Sequence, residues 1–274
     1  MNKISLFGGT GFIGGTFAEM YPQEVFLIDR EKRDPVNKDV LYFISTTTNQ
    51  SVFTDLHCDI NTNLNLLMEV LSNCKDKDIT FNFISSCFVY GNNVLDAKET
   101  DCCNPTGFYS ITKRCAEQLL ISFCKTFGIK YRILRIGNVY GSDKTISTGK
   151  NVLGYMTGLL KNNQDIKLYD GGNFLKDYIH VKDVCRAIKT ILDKGELNQI
   201  YNIGYGNSIT FRQIIEKIKA ITNSKSNILT TSFPREQEFI QIKNMTLNIN
   251  KLNSLGFKPS ITLEEGLNDL CKNV

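Results

Sequence analysis

Histidine is scarce in this chain: the 274 residues hold only His57 and His180. That leaves little for a histidine-based catalytic triad or a histidine metal site. The nine cysteines never form a CxxC pair, and Cys102 and Cys103 are adjacent. This spacing argues against zinc and against a disulfide framework, so no metal site is expected and a reducing compartment suits the chain. No apolar run approaches the roughly 20 residues that cross a bilayer. The chain starts directly in strand-like sequence with no leader-like segment, which predicts a cytoplasmic protein with no membrane partner. The net charge of +4 is mild and spread along the chain, with no basic stripe interleaved with aromatics. That counts against a nucleic-acid partner, while a slight positive balance suits an anionic ligand. Repeats and low-complexity segments are absent too. With 42% hydrophobic residues, the chain can bury one large core, or one core with a smaller lobe.

What is present is glycine in a telling place. Met1 to Phe7 reads as a short buried strand and Phe12 to Tyr21 as the helix after it, with Gly8, Gly11 and Gly14 on the turn between. Glycines there allow a tight turn, close approach of backbone to a pyrophosphate, and close packing of helix on strand. The N–H groups of Phe12, Ile13 and Gly14 open the helix and face the anion. The spacing is GxxGxxG rather than GxGxxG. A second strand, Glu24 to Ile28, ends in Asp29, 21 residues after Gly8. A carboxylate at that place accepts hydrogen bonds from a ribose 2′-OH and repels a 2′-phosphate. Arg30 beside it could hold that phosphate instead, so the expected cofactor is NAD, with NADP left open.

About 100 residues later, Tyr109 and Lys113 stand i and i+4 on a predicted helix opened by Asn104-Pro105-Thr106-Gly107, so both project from one face. A lysine ammonium close to a phenol lowers the phenol pKa toward working pH. A tyrosine so tuned can exchange a proton with an alcohol oxygen while hydride moves at the carbon. YxxxK alone is a common pattern; its weight comes from the dinucleotide turn upstream.

Strands and helices alternate to about residue 145, the pattern of a doubly wound, Rossmann-like α/β fold with a parallel sheet. Leu41 to Ile44 reads as a strand ending at Ser45, Thr46 and Thr47, close to the expected cofactor. About ten residues separate it from Arg30, fewer than a full βαβ crossover needs. One strand-helix unit is therefore expected to be shortened or lost, thinning the adenine side of the site. Residues 1–150 are read as the dinucleotide-binding domain. Residues 151–274 are read mainly as a smaller C-terminal substrate-binding lobe, with part of 177–205 returning to the main sheet.

Ile79 to Gly91 forms an apolar strand ending in hydroxyls, Ser85-Ser86-Cys87-Phe88-Val89-Tyr90-Gly91. With the GGTGFIG turn, YxxxK, Arg135-Ile136-Gly137-Asn138-Val139-Tyr140-Gly141, Asp177-Tyr178-Ile179-His180-Val181-Lys182-Asp183, and Gly256-Phe257-Lys258-Pro259 before Leu263 to Leu267, the chain resembles the extended short-chain dehydrogenase/reductase family. The likeness is to its nucleotide-sugar epimerase, dehydratase and ketoreductase branch and covers nearly the whole chain. The resemblance implies a nucleoside-diphosphate sugar as substrate. Ser86 would polarise the substrate oxygen, Tyr109 would be the acid/base, and Lys113 would hold the nicotinamide ribose. Asn138, Asn151, Val152, Lys176 and Arg235 fall where relatives contact the diphosphate or sugar. Lys176 stands where many relatives have arginine, which exchanges a bidentate fork for a point charge. Asn138 also reads as a turn residue, and Lys176 and Arg235 as solvated charges. A homodimer through the Tyr109 helix and the helix before it is a further family trait.

Two departures narrow the chemistry. Sugar dehydratases of this branch carry Asp and Glu directly after the hydroxyl residue, where this chain has Cys87 and Phe88; Phe88 cannot abstract a proton. The branch that epimerises C3 or C5 has cysteine at the second of these positions. Cys87 is one residue too early and would point to the other side of the strand, so it reads as a small buried hydrophobe, with a substrate contact kept open. What remains is hydride transfer at a carbinol or keto carbon, expected at C4: a 4-ketoreductase or 4-dehydrogenase. The alternatives are a 4-epimerase that retains its NAD, which Asp29 favours, and a dinucleotide-binding protein without catalysis.

Overall fold

The computed structural model describes residues 3–142 and 152–274. The first half runs β1 (Ile4–Phe7), α1 (Phe12–Met20), β2 (Val25–Leu27), β3 (Asp39–Tyr42), α2 (Cys58–Ile60), α3 (Leu66–Ser72), β4 (Thr80–Ser86), β5 (Val94–Ala97), α4 (Phe108–Phe127), β6 (Lys130–Ile136) and β7 (Asn138–Tyr140). There follow α5 (Val152–Lys161), β8 (Ile166–Tyr169), β9 (Leu175–His180), α6 (Val181–Lys194), β10 (Gln199–Ile203), β11 (Ser208–Thr210) and α7 (Phe211–Ile221). The chain closes with β12 (Ile228–Thr231), α8 (Arg235–Glu238), β13 (Met245–Leu247), α9 (Asn250–Asn253) and α10 (Leu263–Asn273).

Six strands form a wholly parallel sheet in the order β2-β1-β3-β4-β6-β10. Parallel strands are covered on both faces and need apolar side chains on both. Successive residues accordingly enter different cores. Leu6, Ile84, Leu134 and Ile136 pack with Phe17 of α1 and Ile188 of α6, whereas Phe7, Phe81, Phe83 and Ile133 pack with Leu67 and Leu71 of α3 and Leu120 of α4. A third core joins Leu153 and Leu160 of α5, Ile214 and Ile218 of α7, and Leu267 and Leu270 of α10. Between the cores lies a second sheet, β11-β9-β13-β5, with β7 pairing β9.

β2 is the edge strand, and residues 28–38 carry the chain back over β1 to β3 without a helix. With no helix to satisfy its backbone, this crossover leans on a buried hydroxyl: Ser5 Oγ accepts from the amides of Val36 at 2.9 Å and Asn37 at 2.8 Å. On this edge of the sheet Phe26 and Leu27 are exposed, as is Val36 of the crossover.

Strand ends differ from expectation in two places. Phe43 and Ile44 lie beyond β3, so Ser45 to Thr47 begin further from the sheet. β4 stops at Ser86, whose Oγ accepts from the Phe88 amide at 3.2 Å and caps a 3₁₀ turn over Cys87–Tyr90. Strand alternation therefore does not decide where Cys87 points; the turn does.

Ser5→Ala is expected to lower the unfolding free energy by about 1–3 kcal/mol, because two crossover amides lose their acceptor; urea denaturation reads it, and an unchanged midpoint would contradict the role given to Ser5.

Candidate active site

The turn after β1 is shaped by contacts that exclude side chains. Gly8 has φ +79°, and the Gly11 amide donates to its carbonyl at 3.1 Å. A Cβ at Gly14 would meet that same carbonyl oxygen at 2.4 Å. Gly11 enters α1 in an extended conformation with no side-chain cap, and the first intrahelical bond runs from Gly15 to Gly11. The amides of Phe12, Ile13 and Gly14 are thus left without intrahelical acceptors, and together with the helix dipole they form a cradle suited to a pyrophosphate. Asp29 and Arg30 are exposed past the end of β2, and Ser45, Thr46 and Thr47 follow β3 at the same end of the sheet. These residues fit a dinucleotide.

Ser86 ends β4, and Tyr109 lies in the first turn of α4. Burial pushes the Tyr109 phenol up to about 12, while hydrogen bonding to Ser86 and Ser45 works in the other direction. The lysine-lowered phenol expected from the sequence is therefore corrected. Lys113 does not reach the phenol; its Nζ donates to the Ile84 carbonyl at 2.6 Å and sits 4.2 Å from the Phe83 ring centre. Desolvation outweighs any help from the lysine. Lys113 itself is driven down to about 7 by burial, with the Glu117 charge opposing.

The substrate side is mixed. The Phe88 ring stands edge-on to Tyr109, with centroids 6.2 Å apart, and Lys176 Nζ lies 5.7 Å from the Phe88 ring centre. Lys176 donates to the Ile242 carbonyl and is lowered to about 8 by burial. Cys87 belongs to the core, and burial raises its thiol to about 12; as a substrate contact it is corrected, because the turn after Ser86 carries it inward. The Asn138 amide donates to the Asp177 carbonyl at 3.1 Å, joining β7 to β9. Val152 and Arg235 are exposed on α5 and α8, and Asn151 lies outside the described residues. His180 caps α6, its Nδ1 accepting from the Lys182 amide at 3.3 Å.

The model of the NAD dependent epimerase/dehydratase family matches residues 40–204. The chain belongs to that family. Among curated relatives of this family member is a Methanocaldococcus jannaschii protein described provisionally as UDP-glucose 4-epimerase, 31% identical over 180 residues, 65% of this chain and 57% of that one. Another is the dTDP-4-dehydro-6-deoxyglucose reductase of Escherichia coli, 28% identical over 68% of this chain and 58% of that one. The chain thus aligns with under two thirds of the length of either. Among solved structures, the UDP-glucose 4-epimerase of Thermotoga maritima with UDP-glucose shares the fold at a TM-score of 0.87 and 24% identity, covering 99% of this chain and 98% of that one.

Three polar residues of this family member escaped the sequence reading. Between α2 and α3 a π turn, Asn61–Asn65, aims the buried Asn63 inward. Asn63 Oδ1 accepts from Ser45 Oγ at 3.0 Å and the Thr46 amide at 2.9 Å, and its Nδ2 donates to Thr112 Oγ1 of α4 at 2.9 Å. Buried Asp59 accepts from the Thr46 hydroxyl and, at 2.7 Å, from Ser51. Buried Asn49 accepts from the Ser110 amide at 3.3 Å and donates to the Ile240 carbonyl at 3.0 Å. The sequence offers no clear signal for them, because their segments, Asn49–Phe53, Cys58–Ile60 and Asn61–Asn65, are short and rich in polar residues.

Gly14→Val should weaken NADH binding by about tenfold or more, because the Cβ displaces the Gly8 carbonyl and opens the cradle; fluorescence titration reads it, and wild-type affinity in the folded variant would argue against this turn as the pyrophosphate site.

Proposed function

We propose that this protein is a nucleoside-diphosphate-sugar oxidoreductase that moves hydride at the sugar C4, acting as a 4-ketoreductase or, in reverse, a 4-dehydrogenase. The observation that carries this reading is the meeting of Ser86 and Tyr109 next to Ser45, at the end of the sheet that bears the glycine cradle. NAD, when bound, supplies or accepts the hydride. The Ser86 hydroxyl donates to the sugar oxygen and holds the carbonyl toward Tyr109. A phenol raised to about 12 is protonated at neutral pH, which suits donation to the oxygen as the keto carbon gains hydride. Lys113 would leave the Ile84 carbonyl to hold the nicotinamide ribose, and Lys176 would leave the Ile242 carbonyl for the diphosphate. Phe88, beside Tyr109, offers no base for dehydration.

The thin adenine side supports a cofactor that comes and goes. β2 is the edge strand, and among the described residues no outboard strand covers Leu27 or the exposed Asp29. Asp29 supports NAD over NADP through its repulsion of a 2′-phosphate. Asp29 also favours a second reading, a 4-epimerase that keeps its NAD and returns hydride to the other face of the sugar. Nucleotide released on denaturing fresh protein separates the two: stoichiometric NAD favours the epimerase, and an empty protein that binds added NADH favours the reductase. Nine free thiols suit a reducing cytoplasm. Exposed Phe108 and Ile111 on α4, beside exposed Ile60 of α2, support a homodimer through this face, which light scattering tests.

Tyr109→Phe is expected to lower turnover at least about a hundredfold while leaving NADH binding within about twofold. Stopped-assay turnover and fluorescence titration read the two quantities, and turnover retained by the variant would remove Tyr109 as the acid/base.

A further inference from the structure

Four residues beyond Lys113 on the same face of α4, Glu117 is completely buried. Its carboxylate accepts from Ser85 Oγ at 2.6 Å, from Arg135 Nε at 2.9 Å and Nη2 at 2.8 Å, and from Arg114 Nη1 at 2.8 Å. Arg135, on β6, is 1% exposed; its guanidinium lies 4.7 Å from the Tyr90 ring centre, and Tyr90 in turn donates to Asn202 at 2.7 Å. A buried ion pair costs much of what it gains through desolvation, so stability alone is a weak reason for it. Its position suggests another. Ser85 neighbours Ser86, and Lys113, one helical turn back, donates to the carbonyl of Ile84. The pair is built directly beneath the three residues assigned to the chemistry.

We propose that Glu117 is a positioning residue: clamped by Arg135, it fixes the Tyr109 and Lys113 face of α4 against the strand carrying Ser86, and it is the counter-charge that keeps the Lys113 ammonium protonated. The inference rests on the reading of Lys113 as the group that holds the nicotinamide ribose. The titratable and charged groups on this face are Tyr109, Arg114 and Glu117 on the same helix and Arg135 on β6, bonded to Glu117, with Cys87 and Asp59 acting on Tyr109. Of these, Glu117 is the one whose charge acts on Lys113, raising it against the burial that drives it down. Burial pushes Glu117 up, yet hydrogen bonds and charge from Arg135, with help from Ser85 and Arg114, hold it below the usual carboxylate range. It is therefore an anion wherever the site works.

The test is NADH affinity between about pH 5.5 and 9.5 for wild type, Lys113→Met, Glu117→Gln, and the double variant Glu117→Gln with Arg135→Met. The double variant removes both members of the Glu117–Arg135 clamp, so no buried guanidinium is left without its carboxylate and the experiment stays open if Glu117→Gln alone does not fold. The alkaline limb of binding that Lys113→Met abolishes belongs to Lys113. That limb is expected to move to lower pH by about half a unit or more in the double variant, because a lysine without its counter-charge loses its proton sooner. A limb in the folded double variant that coincides with wild type would overturn the role of Glu117. A limb that survives Lys113→Met would overturn the assignment of Lys113 itself, and the inference with it.

Discussion

Helix α4 crosses strand β4, and four consecutive residues of that strand meet one face of the helix. Phe83 lies under the Lys113 ammonium, the Ile84 carbonyl accepts from it, Ser85 donates to Glu117, and Ser86 reaches the Tyr109 phenol. β4 is buried along its whole length between β3 and β6, so it cannot shift without breaking both ladders. The helix borrows that rigidity. Leu120 and Cys124, further along α4, pack with Phe81 and Phe83, so the apolar contact that stabilises the fold also sets the distance between hydroxyl, phenol and ammonium.

The same burial has a chemical consequence. Away from water, a phenol is hard to ionise and an ammonium hard to keep, and the shifts of Tyr109 and Lys113 are both of this sign. The buried Glu117 charge opposes this for Lys113, whereas the Asp59 charge adds to the rise of the Tyr109 phenol, and Asp59 and Asn63 hold Ser45 and Thr46 in place. The cofactor side is built differently. The glycine turn is backbone held by close packing, while the segment between β2 and β3 is a loop pinned by Ser5.

Much of this was legible in the sequence because it follows from local rules. The glycine spacing, the i and i+4 relation of Tyr109 to Lys113, and the short gap between Arg30 and Leu41 each dictate backbone geometry, and the structure has the tight turn, the shared helix face and a crossover from β2 to β3 without a helix. What could not be read depends on contacts distant in the chain. Asn49 meets Ile240 across 191 positions, and Asn63 faces Thr112 only because a π turn rotates it inward. The tyrosine pKa differs from expectation for a related reason: spacing places the lysine on the right face, but burial depth and the Ile84 carbonyl decide where its ammonium goes. Cys87 likewise turned on a 3₁₀ turn that strand periodicity does not foresee.

The central claim is that this site moves a hydride between a dinucleotide and a sugar carbon. Incubating the protein with NADH deuterated at the nicotinamide C4, together with nucleoside-diphosphate 4-keto sugars, and locating the label by mass spectrometry and NMR tests it most directly. The account predicts one deuterium at the sugar C4, delivered from one face of the nicotinamide. Turnover of the sugar with no label gained, and none lost from the cofactor, would contradict it.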